Sequence, residues 1–161
     1  MINKFMCKAT VIACVVAVIL LIYKLVEKLL TEIDKLKKLS YKHLGLFLEA
    51  IKWLDLKQKG FSIAGYLADL GYDDIAIYGM SYMGEALKND LINTPINVKY
   101  GIDRTYQNEL CDINVYTPHD SLPSVDCVIV TTYGNTSEII LDLQKSLECP
   151  IIALEDILDE V

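Results

Sequence analysis

The sequence predicts an α/β protein in which an N-terminal transmembrane helix and a helical linker precede a small open parallel sheet of about five strands. Three observations predict it. Residues 75–84 read Ile-Ala-Ile-Tyr-Gly-Met-Ser-Tyr-Met-Gly, an apolar run that breaks at a glycine turn and enters a helix. Downstream, short apolar runs alternate with helical patterns and turn residues, as expected of βαβ units. Upstream, residues 9–23 contain no charge.

The apolar run comes first. Extended back to Phe5 it is interrupted only by Lys8, and at about 1.5 Å per residue it spans roughly 22 to 28 Å, close to the hydrocarbon thickness when Lys8 and Lys24 snorkel. A cleaved signal peptide is the competing reading. No small-x-small site follows the run, which passes into helix-favouring residues 25–39, so residues 1–24 read as an anchor. Lys4 and Lys8 precede the span, whereas Lys24, Lys28, Lys35, Lys37 and Lys38 follow it closely, and this bias puts the C-terminal part in the cytoplasm.

Residues 25–59 read as a helical linker. Ile22, Val26, Leu29, Ile33 and Leu36 step by four and three, a seam of two heptads that either pairs two chains or packs on the domain or the membrane. Two heptads bury too little for association on their own. Residues 44–59 continue helical with Phe47, Ile51 and Leu54 on one face, and the linker helices are expected to cover one face of the sheet. Gly60 ends this helix, and Ser62 caps a short one closed by Gly71.

Residues 60–161 form the predicted sheet domain. The first strand ends at Gly79, and Tyr82 to Leu91 places Met83, Ala86, Leu87 and Leu91 on one helical face before Asn93-Thr94-Pro95 stops it. Ile96, Val98, Tyr100 and Ile102 alternate with polar residues as a second strand. Residues 113–116, 127–130 and 151–154 supply three more, the fourth being a continuous apolar run of the kind buried on both faces. Asn135, with Glu138 three residues on, is placed to cap a helix carrying Ile139, Ile140, Leu143 and Leu147. The order matches a Rossmann-like sheet.

The candidate site lies at the glycine turn. Gly79-x-Ser81-x-x-Gly84 is one substitution from a dinucleotide fingerprint: Gly79 makes the tight turn and Gly84 lets the helix lie close, but Ser81 stands where a glycine normally admits pyrophosphate. The N–H groups and dipole of the helix that begins at Tyr82 favour an anion there. Asp103 follows the second strand, where such a domain holds a ribose hydroxyl. Thr131, Thr132, Tyr133 and Asn135 follow the fourth strand, which in the usual order neighbours the first. They either line the ligand crevice or make an ordinary helix-capping loop.

Other chemistry is excluded or disfavoured. A Ser81, His119, aspartate triad lacks the second glycine of a nucleophile elbow, a position held by Met83. None of the ten tyrosines is followed four residues later by lysine, which removes the short-chain dehydrogenase pair. His119 lies in a Thr-Pro-His-Asp turn and is expected to be exposed, and Asp126 is expected to cap the start of the fourth strand, which follows it, without a chemical role. No His, Cys or carboxylate spacing suits a metal. Cys111, Cys127 and Cys149 lie in or beside predicted strands, as reduced core thiols do. Residues 1–59 carry eleven lysines against five acids and residues 60–161 four basic residues against seventeen acids, so the domain is acidic and nucleic acid is not an expected partner.

Residues 53–154, through the 75–84 run, Ile102-Asp103-Arg104 and Leu122-Pro-Ser-Val-Asp-Cys-Val-Ile-Val-Thr131, resemble the small sugar-nucleotide-binding domain of bacterial surface-polysaccharide biosynthesis proteins. Similar domains form the N-terminal part of bacillosamine-type sugar acetyltransferases and the C-terminal part of sugar C-methyltransferases. The resemblance implies that Gly79, Ser81, Gly84 and Asp103 face a nucleotide. Neither an acyltransferase nor a methyltransferase domain accompanies it, which implies binding more than catalysis. Three readings follow: a membrane-tethered module binding a nucleotide-sugar or NAD-like dinucleotide, an interaction protein that binds a membrane biosynthetic enzyme, and, least supported, an NAD-dependent oxidoreductase.

Overall fold

The computed structural model describes residues 2–105 and 112–160, with side chains described from residue 14 onward. It contains a helix α1 (Ile2–Gln58), α2 (Ile63–Asp69), β1 (Asp74–Tyr78), α3 (Tyr82–Asp90), β2 (Asn97–Ile102), β3 (Val115–Tyr116), β4 (Cys127–Val130), α4 (Thr136–Leu143), β5 (Ile151–Ala153) and α5 (Leu154–Asp159). The chain divides into two compact units, Met1–Tyr41 and Lys42–Val161.

In the first unit, α1 runs without a break, and the apolar side chains from Val15 to Leu30 are exposed, as are the seam residues Ile22, Val26, Leu29, Ile33 and Leu36. No helix among the described residues is long and apolar enough to cross a membrane. Residues 9–13 of the uncharged run lie outside the described side chains, as does Cys111 outside the described residues.

The second unit is a five-stranded, all-parallel open sheet in the order β3-β2-β1-β4-β5. Its centre is β1, flanked by β2 and β4, which is the order expected. Parallel strands need crossovers, and nearly all are right-handed. Because β2 lies on one side of the β1–β4 pair and β5 on the other, α3 and α4 cover opposite faces. The alternation within the strands follows. Ile75, Ile77, Cys127 and Ile129 point into one core with Met83 and Leu87 of α3, while Ala76, Tyr78, Val128 and Val130 point into the other with Ile139 and Leu143 of α4. Every residue of β4 is buried.

Four expectations are corrected. The face of α1 that enters the core is Trp53 and Leu56, with Leu46 and Ala50 packed beside them, whereas Phe47, Ile51 and Leu54 are exposed. The fifth strand stops at Ala153, and Leu154 starts a short helix that returns Ile157 and Leu158 to the first core. Strand β3 is only two residues, and the connection from it to β4 contains no helix. Asn135 occupies the N-cap of α4 without a side-chain capping bond. Its φ and ψ, −127° and 21°, depart from the extended cap backbone that aims a side chain at the first turn.

Most of the smaller signals hold. Ser62 Oγ accepts from Gly65 N at 3.3 Å, and Gly60 and Gly71 adopt φ of +94° and +77° behind the helices they close. Asp126 differs from expectation in the strand it serves: its Oδ2 accepts from Asp73 N at 3.0 Å and Asp74 N at 2.7 Å, capping the start of β1 and not of the β4 it precedes. His119 is exposed in its turn.

Candidate functional site

The glycine turn joins β1 to α3 at the carboxyl ends of the central strands. Gly79 takes a φ of +94°, and its N–H donates to Ile102 O at 2.8 Å, extending the β1–β2 ladder by one bond. A side chain on Gly79 would meet Thr132 Cγ2 at 2.7 Å and Thr131 Oγ1 at 3.1 Å. One on Gly84 would collide with the Gly79 carbonyl oxygen and lie 3.0 Å from its carbon. The two glycines therefore do what their spacing predicts: one bends the chain, the other lets α3 sit directly on the bend. Ser81 is the N-cap of α3, exposed, and makes no capping bond. The Glu85 N–H donates to Ser81 O at 2.9 Å, and the N–H groups of Tyr82, Met83 and Gly84 precede the helix's own ladder. Tyr82, the next residue, is 87 % exposed.

Asp103 is drawn into the turn. Its Oδ2 accepts from Met80 N at 2.9 Å and its Oδ1 from Thr105 N at 2.9 Å. The carboxylate bridges the end of β2 to the glycine turn, so both oxygens already hold a backbone donor, and a ribose hydroxyl would have to share them. Thr131 is similarly engaged. It is buried, and its hydroxyl donates to Tyr78 O at 3.0 Å and Gly79 O at 2.8 Å. The β1–β4 junction is thereby locked from both flanks. Thr132 Oγ1 is buried without a hydrogen-bond partner among the described residues, although its carbonyl accepts from Thr136 Oγ1 at 3.0 Å.

Of the nine residues expected to line a ligand, the structure gathers Gly79, Ser81, Gly84, Asp103, Thr131 and Thr132 around one turn. Tyr82 and Asn135 are exposed. Tyr133 turns elsewhere: its ring packs so closely on Gly45 of α1 that a methyl group there would overlap it.

That ring borders the second feature of this end of the sheet, a cleft of about 250 Å³ lined by Gly45, Leu48, Glu49, Lys52, Tyr133, Glu155, Leu158 and Asp159. Glu49 is only 8 % exposed. Burial, followed by the charges of Glu155 and Asp159, raises its pKa from 4.5 to about 7. Because the folded state holds this proton more tightly than the unfolded chain, the contribution of Glu49 to stability is full below about pH 4.5 and is lost as pH rises through 7. Sequence reading missed this residue, and the only signal for it was a glutamate within an otherwise apolar helical stripe.

Burial pushes the Cys127 thiol up to about 12, which leaves no thiolate for nucleophilic work. No group of three or more His, Cys, Asp or Glu side chains among the described residues is arranged to hold a metal ion.

Comparison with protein-family models, with curated proteins and with solved structures gives no significant match. The class rests on the chain itself: an open, all-parallel α/β sheet with a tight glycine turn at its topological switch point.

Proposed function

We propose that this protein is a membrane-tethered cytoplasmic module that binds a nucleotide or nucleotide-sugar in cell-surface polysaccharide biosynthesis. The observation that carries the reading is the position of the glycine turn. It lies where strand order reverses, between β1 and β4, and ligands of open α/β sheets bind outside the carboxyl ends of the strands at that point. Gly79 and Gly84 bring α3 onto the turn, and Ser81 leaves the start of that helix without a side-chain cap, the end at which a phosphate is favoured. The resemblance of residues 53–154 supplies the ligand class.

A screen of the full chain in detergent against UDP, UDP-sugars, CDP, NAD and CoA tests it. A ligand at a hundredfold excess over its Kd adds about 2.7 kcal/mol, hence several degrees in Tm. No shift with any of them sinks the reading. A second reading then stands, a non-catalytic protein whose degenerate domain binds a membrane biosynthetic enzyme. It is favoured by Asp103 and Thr131, whose polar atoms already hold the turn.

The tether rests on the exposed apolar side chains from Val15 to Leu30 and the lysines that follow. With the domain inside, protease added to intact cells spares it, and the protein sediments with membranes. Digestion of the domain, or recovery of the full chain in the soluble fraction, argues against the tether.

A further inference from the structure

The cleft between α1 and α5 is separate from the glycine turn and has a different chemistry. Three carboxylates converge on it, Glu49 from α1 and Glu155 and Asp159 from α5, against one cation, Lys52, which pairs with Asp159. The excess of negative charge alone would be unremarkable. What distinguishes it is Glu49, which is more than nine-tenths buried, lines the cleft, and has no hydrogen bond or ion pair among the described residues. Its side chain is packed against α5 while its carboxylate oxygens are not enclosed, so they open onto the cleft where an arriving cation can reach them. The remaining walls are apolar or aromatic: Leu48, Leu158 and the ring of Tyr133.

We propose that this cleft binds a small organic cation, an ammonium group carried on an apolar chain, with Glu49 as its principal counter-charge and the Tyr133 ring and the two leucines as walls. The donor set supports that choice. An ammonium supplies up to three N–H donors for carboxylate oxygens, its charge is attracted to an aromatic face, and its hydrocarbon part fits apolar walls. The volume of about 250 Å³ suits a ligand smaller than the drug-sized molecules that fill pockets of roughly 300–1,000 Å³. An anion would meet a net charge of minus two from the four charged residues. A metal ion is not favoured, since no metal-holding group occurs among the described residues.

Proton linkage follows. Below about pH 7 the cation must displace a proton from Glu49, and above it Glu49 is already ionised. The other groups facing Glu49 are Lys52 on its own helix, Glu155 and Asp159 on α5, and Tyr133 on the β4–α4 loop. An alkylammonium, with a pKa of about 10, keeps its charge across the range. Affinity therefore rises about tenfold between pH 6 and pH 8, the change expected for a site governed by one proton.

Calorimetry of the full chain in detergent with butylamine, 2-phenylethylamine and spermidine, and with 2-phenylethanol as the uncharged control, tests the proposal. At least one amine should bind at pH 8, about tenfold more weakly at pH 6, and 2-phenylethanol should not bind. Glu49→Gln, which keeps the shape, should weaken the amine at least tenfold and flatten the pH profile, and Tyr133→Leu should weaken it without changing the profile. The proposal is overturned if no amine binds at pH 8, if the alcohol binds as well as its amine, or if the wild-type affinity is independent of pH. Undiminished binding by a folded Glu49→Gln variant overturns it equally. A nucleotide titrated alongside reports on the glycine turn separately, so either site can fail without the other.

Discussion

Replacing Gly84 with alanine should lower Tm by roughly 5 to 10 °C, a loss of about 2 to 3 kcal/mol for a chain of this size. The added methyl group would collide with the Gly79 carbonyl oxygen and crowd Thr131 Oγ1 at 3.3 Å. Neither obstacle is the free end of a flexible side chain. The Gly79 carbonyl accepts the Thr131 hydroxyl at 2.8 Å, and the Gly79 N–H is bonded to Ile102 O at 2.8 Å. The turn is held on both sides, so α3 must move instead, away from a core in which Met83 and Leu87 are buried. Alanine's better helix propensity returns at most about 1 kcal/mol. Gly65→Ala is the control. There the nearest atom is Ser62 Cβ at 3.7 Å, an ordinary contact, and the propensity gain is unopposed. Thermal denaturation of both variants checks the contrast, and a Gly84→Ala protein as stable as wild type would mean that α3 does not rest on the turn.

The same pair of glycines shows what a sequence can carry. Their roles follow from local steric rules, since a tight turn after a strand and a close helix approach are both short-range demands. Strand β4 was legible for a related reason: a run buried on both faces has no alternative to being apolar. The role of Asp103 was only half legible. Its place after β2 is a matter of spacing, but its bond to Met80 N depends on two loops meeting across the sheet, which no local pattern encodes. The α5 helix was hidden because Leu154 continues the apolar run of β5 and Ala153 offers no capping side chain. Tyr133 was expected over the glycine turn and lies on Gly45 instead, a contact between residues far apart in the chain.

Helix α1 departs from its hydrophobic pattern for a more instructive reason. Two stripes of its last turns are apolar enough to be a core face. One is Phe47, Ile51 and Leu54; the other is Leu46, Ala50, Trp53 and Leu56, with Glu49 in its midst. Hydrophobic patterning favours the stripe without the charge. The structure buries the other, and the glutamate goes with it to the cleft beside α5, where burial raises its pKa. The exception to the pattern is also the most chemically distinctive group in the domain, as expected where local rules are broken at a functional position.

Trp53→Ala should therefore cost about 3 to 5 kcal/mol, the range for emptying a buried large aromatic site, and lower Tm by roughly 10 °C or more. Trp53 is 8 % exposed and shares its core with Leu56 of the same helix, Ile63 and Leu67 of α2 and Ile157 and Leu158 of α5. Its loss leaves a cavity that these aliphatic neighbours, each fully buried apart from Leu56, have little freedom to fill. Ile51→Ser on the opposite stripe should change the stability of the isolated chain by no more than about 0.5 kcal/mol, since Ile51 is 49 % exposed and absent from both cores. Denaturant titration of the two variants separates the alternatives. If Ile51→Ser proved the more damaging, the helix would dock by the stripe that patterning favours, Glu49 would be turned out of its cleft, and its pKa would return to the ordinary carboxylate range. A large Trp53→Ala loss with a silent Ile51→Ser fixes the rotation of the helix, and with it the position of Glu49 facing α5.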